Sequence, residues 1–269
     1  MTSHTLHRNG YSLSTLEYGE GDPVVLLHGF PFDGVMWDAQ IAALQETYRV
    51  IVPDLRGFGT STLAADDVGA GVDMRSYADD VAAALDEMGV DQPLTLAGFS
   101  MGGYVAWQFA LHYRDRLRAL ILCDTRAAAD APEAQHGREK MAEACLDNRS
   151  SAPALEMLPK LLAPETLEQR PEVVDAVREM IERASPQAIA AAQRGMARRE
   201  DVRHLLGEID VPALCLVGRY DVISPIAEMQ DMAATLPQGE LVEIPAAGHM
   251  TVIENADAVS DAILAFLQQ

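Results

Sequence analysis

Basic side chains are scarce in this sequence, and lysine is the scarcest of them. Among 269 residues, 20 lysines and arginines stand against 41 aspartates and glutamates, which gives a formal net charge of −21. Such a charge repels phosphate backbones and anionic lipid surfaces. We therefore expect no nucleic-acid partner and no role at a membrane surface.

Long apolar runs and secretory signals are also lacking. No apolar run approaches the roughly 20 residues that span a bilayer, and no early stretch joins a basic start to an apolar run and a small-residue cleavage site. These absences favour a cytoplasmic location. They leave the oligomeric state open.

Cysteines are few and form no recognisable site. Cys123, Cys145 and Cys215 lie far apart, with neither the spacing of a zinc site nor the even number of a disulfide framework. We expect buried free thiols. Metalloprotease, Walker and dinucleotide-binding patterns do not occur in their proper context, so the sequence predicts no metal and no organic cofactor.

The sequence does contain a regular alternation of apolar runs with segments of helical period. This pattern is typical of βαβ units that build a mostly parallel sheet. Strands are predicted at residues 11–18, 24–28, 49–53, 94–98, 117–124, 213–218 and 240–244. Helices are predicted at residues 38–46, 76–88, 101–113, 225–236 and 255–268.

The alternation stops between about residues 127 and 203, where Ala, Glu, Arg, Met and Leu dominate and prolines recur. Alanine and glutamate favour helix, and each proline restarts a helical segment. We therefore predict an α/β core formed by residues 1–126 and 204–269, and an inserted helical cap over the sheet at residues 127–203.

The strongest motif is Gly-Phe-Ser-Met-Gly-Gly at residues 98–103, which directly follows a predicted strand and opens a predicted helix. A nucleophile on so sharp a turn needs small neighbours two positions away on either side, and Gly98 and Gly102 supply them. The helix N-terminus offers backbone donors for developing negative charge. Ser100 is therefore the predicted nucleophile.

A serine hydroxyl needs a base, and the sequence offers seven histidines for this role. Six lie in the N-terminal stretch, at the end of a strand or helix, or in or beside the predicted cap: His4, His7, His28, His112, His136 and His204. His249 remains, on the loop between the last predicted strand and the last predicted helix. We expect it to be the base.

The acid that orients this histidine has two candidates, each at the carboxyl end of a predicted strand. Asp221 gives the chain order serine, acid, histidine and is the preferred prediction. Asp124 is the rival.

Two backbone amides are needed to hold the oxyanion of a tetrahedral intermediate. We expect one from Met101, beside the nucleophile, and the other from Phe30, in the stretch His-Gly-Phe-Pro after an early strand. Pro31 has no amide proton and restricts the conformation of Phe30. His28 and Gly29 are then predicted to shape this loop.

With these motifs in place, the chain resembles the α/β-hydrolase superfamily over nearly its full length. Within it, the chain resembles small cap-bearing esterases, 3-oxoadipate enol-lactonase-like hydrolases and cofactor-free haloperoxidases or perhydrolases. The resemblance rests on residues 28–31, 54–61, 98–103, 218–225 and 248–249. It implies an α/β-hydrolase fold, in which a mostly parallel eight-stranded sheet is flanked by helices and carries an inserted helical cap.

Ester chemistry is the expected activity, because Ser100 stands where the similar epoxide hydrolases and haloalkane dehalogenases have an aspartate. We expect a serine hydrolase that cleaves carboxylic esters or lactones through an acyl-enzyme on Ser100. The resemblance also suggests perhydrolysis as a side activity, through Pro31. Two alternatives stay open: a C–C bond hydrolase acting on a diketone, and a non-catalytic hydrolase-like protein that retains a small ligand.

The substrate pocket is predicted less directly. Leu146 and Leu158 in the predicted cap are candidates for an apolar lining, although leucines at helical spacing are more often core. Trp107, on the helix after the nucleophile, is another candidate. The resemblance to enol-lactonases makes Arg126 a candidate partner for a substrate carboxylate, with a surface salt bridge as the alternative.

Overall fold

Eight strands form one sheet in the computed structural model, which describes residues 1–8 and 10–269. They are Thr2–Arg8 (β1), Tyr11–Tyr18 (β2), Pro23–Leu27 (β3), Arg49–Pro53 (β4), Leu94–Phe99 (β5), Leu117–Cys123 (β6), Ala213–Gly218 (β7) and Gly239–Ile244 (β8). The spatial order is β1-β2-β4-β3-β5-β6-β7-β8. Only the pairings of β1 with β2 and of β2 with β4 are antiparallel in this described sheet, so the predicted mostly parallel eight-stranded sheet is confirmed.

The central strands are almost entirely apolar because both faces of the sheet are covered. Every residue of β3, β5 and β7 is buried. Such strands read as nearly continuous apolar runs in the sequence. The seven predicted strands match β2 to β8 to within one residue at each end. The N-terminal stretch forms β1, which pairs with β2 along its full length.

Helices follow most strands. They are Asp38–Leu44 (α1), Asp67–Ala70 (α2), Met74–Glu87 (α3), Met101–His112 (α4), Pro132–Asn148 (α5), Leu158–Leu161 (α6), Pro164–Gln169 (α7), Pro171–Arg183 (α8), Pro186–Ala197 (α9), Ile226–Thr235 (α10), Thr251–Glu254 (α11) and Ala256–Leu267 (α12). The five predicted helices correspond to α1, α3, α4, α10 and α12 and differ from them by at most two residues at either end. The one-turn helices α2 and α11 were not predicted, because four residues are too few to show a helical period.

Residues 127–203 hold helices α5 to α9 and contain no strand, and all of them are described. Four of these helices begin at a proline, which fits the first turn because no intrahelical partner is lost there. The two ends of the segment lie side by side, since the amide of Val202 donates to the carbonyl of Ala127 at 3.0 Å. The division into core and cap at these residues stays a prediction.

The thiols and the helices bear on two expectations from composition. Cys123, Cys145 and Cys215 are free and buried, which confirms the prediction for them. Among the described helices, none has both the length and the apolar character that crossing a membrane requires.

Candidate functional site

Ser100 stands on a strained turn between β5 and α4. Its backbone has φ 51° and ψ −111°, a left-handed conformation that non-glycine residues rarely adopt. The backbone segments around Ser100 pack tightly. A Cβ on Gly98 would lie 2.4 Å from the carbonyl oxygen of Gly102, and a Cβ on Gly102 would lie 2.3 Å from the carbonyl oxygen of Leu27. The turn is possible only with glycine at both positions.

Hydrogen bonds hold this turn in place. The amide of Ser100 donates to the carbonyl of Cys123 at 2.9 Å. Its own carbonyl accepts from the amide of Gly103 at 2.9 Å and from the hydroxyl of Thr125 at 2.7 Å. The Ser100 side chain therefore projects from a fixed backbone at the carboxyl end of the central strands.

Three side chains form a hydrogen-bonded line at this edge of the sheet. Nε2 of His249 lies 2.9 Å from Oγ of Ser100, and Nδ1 lies 2.8 Å from Oδ2 of Asp221. Oδ1 of Asp221 accepts from the amides of Ile223, at 2.7 Å, and Ser224, at 3.0 Å. Because the carboxylate accepts at Nδ1, the imidazole presents an unprotonated Nε2 to the serine hydroxyl.

The line is shielded from solvent at its acidic end. Asp221 is 6% exposed and His249 is 2% exposed, whereas Ser100 is half-buried and reachable. The ring of Phe99 packs on His249 with the centroids 5.1 Å apart. Such an arrangement can increase the nucleophilicity of a serine hydroxyl while leaving its oxygen open to a substrate.

Asp124, the rival acid, lies beside this line but takes different partners. It is fully buried at the end of β6, where Oδ1 accepts from the amide of Gly218 at 2.9 Å and Oδ2 accepts from the hydroxyl of Thr251. Burial, followed by the nearby charge of Asp221, raises the pKa of Asp124 well above its usual range. Burial therefore favours the neutral form of Asp124.

A metal-ligand reading of the same cluster is disfavoured by its hydrogen bonds. Ligand atoms of Asp124, Asp221 and His249 lie within 4.8 Å of one another. However, Nδ1 and Nε2 of His249 are both engaged, with Asp221 and Ser100 respectively. This arrangement can pass a proton between the hydroxyl and the imidazole.

The two predicted oxyanion donors lie in separate segments of the chain, one directly after the nucleophile and the other in the loop after β3. Met101 is the first residue of α4, so its amide has no acceptor within the helix. Phe30 is buried in the loop after β3, which is closed by a hydrogen bond from the amide of Phe32 to the carbonyl of Gly29 at 3.0 Å. The oxyanion role of both amides stays a prediction.

His28 shapes the loop after β3, as its position in the sequence suggests. Its Nδ1 donates to the carbonyl of Gly29 at 2.9 Å and its Nε2 accepts from the amide of Leu55 at 2.9 Å. Both ring nitrogens are thus used, and burial lowers the pKa of His28. This histidine is neutral and ties two loops of the sheet edge together.

The residues predicted to bind substrate are partly engaged elsewhere. Arg126 makes a bidentate ion pair with Glu228 of α10, with both N–O distances 2.7 Å, and its carbonyl accepts from Trp107 Nε1 at 3.1 Å. Trp107 and Arg126 border a cavity of about 10 Å³, and Arg126 also borders one of about 230 Å³ together with Glu228. Leu158 is buried and Leu146 half-buried in residues 127–203. Their substrate roles stay predictions.

Sequence reasoning missed one buried carboxylate near the site, Glu254. It lies in α11, five residues after His249, and hydrogen-bonds the amide of Gly248 at 2.7 Å. Its signal in the sequence is slight, because Glu254 directly follows a short apolar stretch and precedes the polar Asn255.

Comparison with known proteins gives the family. A family model described as the α/β hydrolase fold matches residues 22–256. The chain belongs to this family. The predicted α/β-hydrolase fold is therefore confirmed by sequence as well as by sheet topology.

Individual relatives of this α/β hydrolase include esterases and a lactonase. The structure of a thermophilic esterase from Thermogutta terrifontis is similar, with 43% identity, coverage of 100% of this chain and 98% of the other, and a TM-score of 0.94. The enol-lactonase of Burkholderia xenovorans is similar at 26% identity, 99% and 100% coverage, and a TM-score of 0.89. The pimeloyl-[acyl-carrier protein] methyl ester esterase of Aeromonas hydrophila is 29% identical over 91% of this chain and 94% of its own length.

Proposed function

We propose that this α/β hydrolase cleaves carboxylic esters or lactones through an acyl-enzyme on Ser100. The observation that carries the proposal is the unbroken line of hydrogen bonds from Asp221 through His249 to Ser100, with distances of 2.8 and 2.9 Å. A serine, a histidine and an acid in this arrangement perform acyl transfer on several unrelated folds.

In the first half of the reaction, Oγ of Ser100 attacks the carbonyl carbon while its proton passes to Nε2 of His249. The negative charge of Asp221 stabilises the imidazolium that forms. The oxyanion accepts hydrogen bonds from the amides of Phe30 and Met101. When the tetrahedral intermediate collapses, His249 returns the proton to the leaving alcohol, and the acyl group stays on Ser100.

In the second half, a water molecule replaces the alcohol. His249 removes a proton from it, the resulting hydroxide attacks the acyl carbon, and the same two amides hold the second oxyanion. Collapse releases the carboxylic acid and restores the hydroxyl of Ser100. A lactone follows the same steps, except that alcohol and acid leave as one molecule.

The named relatives favour ester-type bonds as substrates. The esterase that is 43% identical over the full chain carries the most weight, and the lactonase extends the class to cyclic esters. We propose further that residues 127–203 act as a cap over the sheet edge. This proposal is supported by the contact of residues 161–163 with the loop that carries His249.

The test is the hydrolysis of a short-chain 4-nitrophenyl ester by the wild type, by Ser100→Ala and by the matched control Ser76→Ala. Ser76 lies in α3, and alanine is well tolerated in a helix. We expect Ser100→Ala to lower kcat by roughly 10⁶, with an initial burst only in the wild type and the control. Substantial turnover by folded Ser100→Ala would overturn the proposal.

Inactivity of the folded wild type towards esters and lactones would also count against it. Cleavage of a diketone by that protein would then identify C–C bond hydrolysis. Tight retention of a small ligand without turnover would identify a binding protein.

A further inference from the structure

Glu254 is a buried carboxylate that joins the histidine loop to residues 127–203. It is 4% exposed. Its Oε2 accepts from the amide of Gly248 at 2.7 Å, and its Oε1 accepts from the amide of Ala163 at 2.7 Å. One side chain therefore bridges the residue before His249 and the residue before α7.

The same two segments also touch on the other side of the histidine. The amide of Met250 donates to the carbonyl of Leu161 at 3.0 Å. A Cβ on Gly248 would lie 2.6 Å from the nitrogen of Ala163, so the two backbones are in direct contact. Both chain neighbours of His249 are thus held by residues 161–163.

The surroundings of Glu254 make its charged form costly. Burial is the largest influence and raises the pKa of Glu254 above its usual value. Hydrogen bonds from Ala163, Thr166 and Gly248 oppose the rise. Burying a carboxylate is unfavourable unless donors surround it, and an apolar side chain would fill the same space without that penalty. The carboxylate does what an apolar side chain would not, because it fixes the positions of two backbone amides.

We propose that Glu254 is a positioning residue, which sets the place of His249 through the Gly248 amide and makes that place depend on the docking of residues 161–163. The inference rests on the proposed function, because it takes His249 as the base. Small displacements suffice for a large effect, since a shift of about 1 Å in a reacting group costs on the order of 10² in rate.

The test compares Glu254→Gln with the matched control Glu168→Gln. The glutamine amide group would meet one of the two backbone N–H groups, donor against donor, and break one side of the bridge. Glu168 is an exposed residue of α7, where the same change removes the same charge without touching the bridge. Both variants are assayed for kcat, KM, thermal unfolding and the rate at which a fluorophosphonate labels Ser100.

We expect Glu254→Gln to lower kcat and the labelling rate by about 10- to 100-fold while KM stays within about threefold, and Glu168→Gln to match the wild type. A merely structural role would lower the melting temperature and leave the kcat of the folded fraction unchanged. Wild-type kcat in folded Glu254→Gln would overturn the inference.

A milder variant covers the case in which Glu254→Gln does not fold. Glu254→Asp keeps the carboxylate but is one methylene shorter, so it cannot reach both the Gly248 and the Ala163 amides. We expect a several-fold loss of kcat at unchanged KM, and no loss there would overturn the inference. Failure of the proposed function is recognised separately. It would appear as turnover and labelling that persist in Ser100→Ala.

Discussion

Replacing Asp221 or Asp124 by asparagine tests which of two adjacent buried carboxyls orients the histidine. In the wild type, the amides of Ile223 and Ser224 both donate to Oδ1 of Asp221. In Asp221→Asn, the amide oxygen of the asparagine takes the place of Oδ1 and accepts both hydrogen bonds. The new NH₂ group then faces Nδ1 of His249 in the place of Oδ2. The imidazole must accept there, so its proton moves to Nε2 and points at Ser100.

The expected loss follows from this change of tautomer. A histidine protonated at Nε2 cannot remove the serine proton, and the corresponding change in a serine protease lowers kcat by about 10⁴. At about 1.36 kcal/mol per factor of ten, this equals roughly 5.5 kcal/mol of transition-state stabilisation.

Asp124→Asn is the matched control, because a neutral carboxyl and an amide have the same shape. The asparagine oxygen can keep the bond from Gly218, and its NH₂ group can donate to the hydroxyl of Thr251. We expect kcat within about threefold of the wild type, because no reacting group loses a partner.

The assay is kcat/KM on a 4-nitrophenyl ester, with thermal unfolding to confirm that both variants are folded. A loss of less than tenfold in Asp221→Asn, or an equal loss in both variants, would refute the assignment of the two carboxyls.

Three further predictions concern stability and substrate binding. The raised pKa lets folded Asp124 keep a proton that the unfolded chain releases above pH 3.8, so the contribution of Asp124 to stability falls as pH rises from there. In urea titrations, the stability of Asp124→Asn relative to the wild type should therefore grow with pH, and a constant difference would contradict the neutral carboxyl. Gly98→Ala should lower the unfolding free energy by about 1–3 kcal/mol, because the added Cβ would lie 2.4 Å from a backbone oxygen. The control Gly137→Ala should not destabilise the protein, because Gly137 lies in helix α5 with open space around it. Arg126→Ala should leave KM for neutral esters unchanged, because the guanidinium is paired with Glu228. A rise in KM confined to anionic substrates would instead assign Arg126 to substrate binding.

The parts of the site that the sequence predicts are those fixed by local rules. Ser100 needs glycines two residues away on each side, and the sheet edge collects the loops after β5, β7 and β8, where His249 and Asp221 lie. The central strands β3, β5 and β7 were easy to predict because a strand buried on both faces reads as a nearly continuous apolar run.

The parts that the sequence does not predict depend on contacts between distant residues. Asp124 and Asp221 both end a strand, and only the folded chain determines which one reaches Nδ1 of His249. Arg126 finds Glu228 across 102 residues, and Ala163 meets Glu254 across 91. No local pattern encodes such partners, so these roles emerge only from the tertiary packing of the folded chain.

The most direct test of the account is to trap the acyl-enzyme. The wild type is mixed with an activated ester, quenched in acid within the burst, digested, and its peptides are analysed by mass spectrometry. We predict one acyl group per chain, on the peptide and residue that contain Ser100, and none in Ser100→Ala. An acyl group on another residue, or turnover without any acyl adduct while Ser100→Ala stays active, would contradict the central claim.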